Sequence, residues 1–73
     1  MVLLHRRVSG KECIKILCNK FGFHIVRVRG SHFVLRKEDY GTVVPLHNEL
    51  RIGTLKNILE MAEIDEEEFE KYL

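Results

Sequence analysis

At 73 residues the chain is close to the smallest size at which a hydrophobic core alone holds a fold, so a single domain over 1–73 is expected, with any active site at its surface. Its 45% hydrophobic and 32% charged residues argue against a disordered chain, and no apolar run is long enough to cross a bilayer as a helix. The net charge of +1 hides a division: residues 1–37 hold nine Lys and Arg against one acid, Glu12, whereas residues 38–73 hold three basic residues against ten acidic ones. A basic half suits a polyanion, and an acidic end limits nonspecific adhesion or meets a basic partner; a merely solvated surface is the plainer reading of such runs.

The opening MVLLHRRVSG lacks an h-region and a cleavage site, so no signal peptide and a cytoplasmic location are expected. Ser9 and Glu12 have capping-box spacing and predict a helix starting at Gly10. Cys13, Ile14, Ile16 and Leu17 form its apolar stripe, and Gly22 ends it in the left-handed conformation. Cys13 and Cys18 are five apart on that helix, which is no CxxC spacing; two buried thiols are expected.

From Phe23 the period becomes two. Val26 to Arg29 and His32 to Arg36 alternate on either side of Gly30 and Ser31, which predicts a hairpin with a two-residue turn. An unbroken register pairs Arg29 with His32, Val28 with Phe33, Arg27 with Val34 and Val26 with Leu35. Val26, Val28, Phe33 and Leu35 are then expected on the buried face, and Arg27, Arg29, His32 and Arg36 on the open one, with Ile25 and Val34 among them. Lys37 to Gly41 reads as a polar turn, and Thr42 to Leu46 as a third strand at a sheet edge, where Pro45 is tolerated. Val44 and Leu46 are expected inward and His47 outward.

Leu55, Ile58, Leu59 and Ala62 follow helical spacing, with Thr54 as the expected N-cap. Asp65 and Glu68, flanked by Ile64 and Phe69, predict a short last helix from Glu66 to about Tyr72. The order is helix, three strands, helix, short helix. It predicts an α+β two-layer sandwich, a three-stranded antiparallel sheet with its helices on one face.

Four histidines, His5, His24, His32 and His47, fall on separate elements without HxH or HxxxH spacing, so no metal site is expected. GxxxxGK[ST] and GxGxxG are absent, which argues against a nucleotide cofactor. Ser31, His32 and Asp39 make a triad only on paper, because adjacent strand residues point to opposite faces. His32 stands apart, since the hairpin sets it among cations on the open face. Imidazole titrates near neutrality, so it can move a proton from a ribose 2′-hydroxyl while Arg27, Arg29 and Arg36 stabilise charge on the phosphoryl oxygens. Gly30 lets a phosphate approach the turn, and the Ser31 hydroxyl can donate to it. A surface histidine in a noncatalytic RNA-binding sheet explains the same residues equally well. Helix N-termini add phosphate candidates at Ser9, Gly10 and Lys11 and at Gly53 and Thr54, although capping explains both; His47 is a possible aid to His32. His24 reads as an ordinary strand-end residue.

The stretches VSGKECIKILCNKFGF, VRVRGSHFVLR, VVPLH and GTLKNILEMAEID, in this order and spacing, resemble the HicA toxins of type II toxin-antitoxin systems, from Val8 to Phe69. GSH followed by PxH and GTL is specific only in combination. The resemblance implies a double-stranded-RNA-binding-domain-like fold, an mRNA endonuclease activity without a metal or other cofactor, and a HicB antitoxin that covers the active face. It carries the family's essential histidine onto His32, with Gly30 and Ser31 completing the element, and says nothing firm about the arginines. Glu63 departs from the glycine that many relatives hold there. Two alternatives remain: a noncatalytic RNA-binding module, and a protein-interaction domain that works through its acidic tail.

Overall fold

Ser9 opens the first helix as expected: its Oγ accepts the Glu12 amide at 3.0 Å, and α1 runs over Gly10–Lys20. The computed structural model describes residues 7–73, so His5 lies outside the described residues. Cys13, Ile14, Ile16 and Leu17 are buried along one stripe of α1. At its end Gly22 takes φ 79°, and the Phe23 amide turns back onto the Leu17 carbonyl at 3.0 Å.

Three strands follow, β1 (His24–Arg29), β2 (His32–Lys37) and β3 (Tyr40–Pro45), paired antiparallel in that spatial order. Then come α2 (Ile52–Ala62) and α3 (Glu66–Glu70). This is the α+β order expected, an open antiparallel sheet with helices, consistent with a double-stranded-RNA-binding-domain-like fold. One core joins the layers: Leu35 and Val44 from the sheet meet Leu17, Leu55, Ile58, Leu59 and Phe69 from the helices. Thr42 is buried in the same layer, and its hydroxyl donates to the Ile58 carbonyl at 2.9 Å, which ties β3 to α2. No helix among the described residues is long and apolar enough to cross a membrane.

Several local expectations are corrected. The hairpin register holds from Arg29 and His32 to Arg27 and Val34, then slips at a bulge: Ile25, not Val26, pairs with Leu35, and His24 pairs with Arg36. Val26 is the extra residue. Neither Val26 nor Val28 is buried; they are 48% and 50% exposed, because β1 is an edge strand and α2 packs over β3 at the opposite edge. The third strand begins two residues early at Tyr40 and stops at Pro45, leaving Leu46 outside it and 45% exposed rather than inward.

Thr54 does not cap α2. Arg51 occupies that position, without a side-chain capping bond, and Thr54 falls within the first turn. Asp65 does cap α3, but onto the Glu67 amide at 3.2 Å, while Glu68 pairs with Lys71 at 3.0 Å. Cys13 is buried and Cys18 half-buried, and both thiols are free.

Candidate functional site

Gly30 has φ 57° and Ser31 does not share it, so the hairpin turn has its left-handed residue at the first central position, where glycine is favoured. A Cβ built on Gly30 meets nothing within 4 Å, so conformation rather than packing requires glycine, and the turn is open to an approaching group. The turn delivers His32 as the first residue of β2. It is exposed, with Arg29 across from it on β1 and Pro45 across from it on β3.

Cross-strand partners in an antiparallel sheet share a face, so Arg29 stands directly across from His32 on the same face, at a Cα separation of about 5.5 Å for a hydrogen-bonded pair. Arg27 lies opposite Val34, two residues along β2 from His32 and on the same face. Arg36 also shares this face but stands about 13 Å away along β2, from a rise of about 3.4 Å per residue. All three arginines are exposed. The sheet therefore brings Arg27, Arg29 and His32 together and sets Arg36 apart, at the distance of a neighbouring phosphate rather than the same one.

The bulge adds a residue that sequence reasoning missed. By displacing Val26 it turns Ile25 toward the helix-bearing side and His24 toward the open side, where His24 sits opposite Arg36. The one signal for the bulge is the adjacent aliphatic pair Ile25 and Val26, which breaks the alternation of the strand without saying which of the two is the extra residue.

Three segments converge at the His32 end of the sheet through backbone hydrogen bonds. The Leu46 amide donates to the Ser31 carbonyl at 2.6 Å, continuing the β2–β3 ladder past His32 and Pro45. The Gly10 amide donates to the His47 carbonyl at 2.8 Å, and the Leu50 amide to the Val8 carbonyl at 2.7 Å. The GSH turn, the exit of β3 with its exposed His47, and the start of α1 are thus held as one corner. Gly10 is essential to that closeness, since a Cβ there would overlap the Pro45 carbonyl oxygen.

The other phosphate candidates lie elsewhere. Lys11, one residue into α1, lines a cavity of about 420 Å³ with Ser9, Lys15, Asn19, Lys20 and Tyr72, on the helix layer rather than the open sheet face. Thr54 belongs to α2, whose Ile58 packs on the covered side of β3, so the structure does not bring Thr54 to the face that carries His32. Among the described residues no cluster of three or more His, Cys, Asp or Glu side chains is arranged to hold a metal ion.

A positive, open sheet face with an accessible imidazole beside a guanidinium can bind a phosphodiester and move a proton at it. A search of curated proteins returns no match, and a search of solved structures returns none. The family model described as the HicA toxin of bacterial toxin-antitoxin matches residues 10–64, well over half of the chain and spanning every strand, α1, α2, the GSH turn and His47. The chain therefore belongs to the HicA toxin family.

Proposed function

We propose that this toxin is an endoribonuclease that blocks translation by cleaving mRNA, with His32 as its proton-transfer residue. Arg29, opposite the histidine, and Arg27 on the same face hold the scissile phosphate and stabilise charge on its nonbridging oxygens; Arg36 takes a flanking phosphate. The Ser31 hydroxyl donates to the phosphate at the open turn.

The Nε2 or Nδ1 atom of neutral His32 takes the proton of a ribose 2′-hydroxyl. The 2′-oxygen attacks the adjacent phosphorus, and the bond from phosphorus to the 5′-oxygen breaks. The products are a 2′,3′-cyclic phosphate and a 5′-hydroxyl, the leaving oxygen taking a proton from water, with His47 exposed at the same corner as an auxiliary. Toxins of this family pair with HicB antitoxins, and an antitoxin that covers the open face would silence the reaction.

The observation that carries the reading is the exposed His32 set across from the exposed Arg29 on one sheet face, in a chain of this family. The test compares wild type and His32→Ala after induced expression, with total RNA examined for cleavage and growth followed. Loss of general acid-base catalysis lowers cleavage by about 10²–10⁴-fold. Undiminished cleavage by His32→Ala would refute the role given to His32, and growth arrest by wild type without RNA cleavage would leave only RNA binding through the arginines.

A further inference from the structure

Among the described residues, no strand pairs with the outer edge of β1. This strand is one edge of the sheet, all six of its residues are exposed, and Ile25, Val26 and Val28 are 44–50% exposed within a stretch of four. An edge strand with unpaired amides and half-exposed aliphatic side chains is a template for another strand. Its backbone polarity follows from the turn. Arg29 and His32 flank a two-residue hairpin and exchange both main-chain bonds, so the next residue, Val28, points its N–H and C=O away from β2 toward the free edge.

Charge selects the occupant. A second β1 strand of this chain would lay Arg27 and Arg29 beside the same two arginines, and like charges on neighbouring strands repel. A complementary strand has the opposite pattern. Where it continues the side of Val28 and Ile25 it needs apolar residues, and where it continues the side of Arg27 and Arg29 it needs Asp or Glu.

We propose that β1 is the docking edge for a β-strand of the HicB antitoxin in which apolar and acidic residues alternate, extending the toxin sheet to four strands. The added strand buries Val28 and Ile25 and neutralises Arg27 and Arg29, so it takes away the cations that RNA needs beside His32. The inference rests on the family's pairing with an antitoxin and is independent of whether His32 is catalytic.

The experiment is residue-resolved amide hydrogen exchange on the full chain, with and without the HicB antitoxin, in wild type and in His32→Ala. The Val28 amide exchanges freely in the toxin alone and is slowed at least 100-fold in both complexes. Val28→Pro removes that outward donor without breaking a bond to β2; it weakens antitoxin binding at least tenfold and leaves RNA cleavage by the free toxin unchanged. Three results overturn the proposal: a complex in which Val28 stays unprotected, Val28→Pro toxin that binds antitoxin as tightly as wild type, or Val28 protection in toxin alone through self-association. If Val28→Pro fails to fold, the exchange measurement on wild type decides. Failure of the ribonuclease reading would show instead as RNA left intact by wild type, with Val28 protection unaffected.

Discussion

Replacing Gly10 by alanine sets a helix gain against a steric loss. At an ordinary helical position alanine is up to about 1 kcal/mol better than glycine. Here a Cβ would overlap the Pro45 carbonyl oxygen and lie 2.9 Å from the Leu46 Cα and 3.0 Å from the Pro45 carbonyl carbon. All three atoms are backbone, so no side chain can swing aside. Forcing the segments apart costs about 1–3 kcal/mol, and losing the bond from the Gly10 amide to the His47 carbonyl costs about 1 kcal/mol more. The net loss is about 1–3 kcal/mol, against the roughly 4–11 kcal/mol expected for a domain of this length. At about 4–8 °C per kcal/mol, Tm falls by about 10 °C. Thermal and urea unfolding measure it. RNA cleavage well below the new Tm also falls, because the displaced segment carries His47 and is bonded to Ser31. A Gly10→Ala protein as stable as wild type, or more so, would refute the reasoning, since propensity alone gives that sign.

Glu63 ends α2 at φ 56° and ψ 44°, a left-handed conformation that costs a non-glycine residue about 1–2 kcal/mol. Glycine there recovers most of this but loses about 0.5–1 kcal/mol through its freer unfolded chain, so Glu63→Gly raises Tm by about 4 °C. Burial, with a smaller contribution from Glu12, pushes the Cys13 thiol up to about 12. Alkylation of the native protein near pH 8 should therefore modify Cys18 first and reach Cys13 only on unfolding, as mass spectrometry will show. The sign for stability is fixed by the same shift: the unfolded thiol ionises near its ordinary value of 9.0 while the folded one stays protonated, so this group's contribution is whole below that value and declines from there toward about 12. Arg27→Gln with Arg29→Gln removes two phosphate contacts and flattens the dependence of log K on log salt by about 1.4 for single-stranded RNA; an unchanged slope would place the RNA elsewhere.

The candidate site was legible where local chemistry is enough. The turn at Gly30 and Ser31 fixes the pairing of Arg29 with His32, because a two-residue hairpin leaves no choice of register at its mouth. Farther from the turn the reading failed. Either parity of the strand start satisfies alternation, and the choice between Ile25 and Val26 opposite Leu35 depends on what the helix layer can cover. His24 was missed for that reason, and Val28 was taken as core.

The amino-acid order alone determined the helices, their main apolar faces and the hairpin that presents His32, since caps, turns and periods act between residues a few positions apart. Only tertiary packing decided that Arg51 and not Thr54 precedes α2, that no described residue covers the edge of β1, and that Gly10 is pressed against the exit of β3. Each of these depends on space left or filled by a segment distant in sequence, and close packing makes that space definite only once all the layers are assembled.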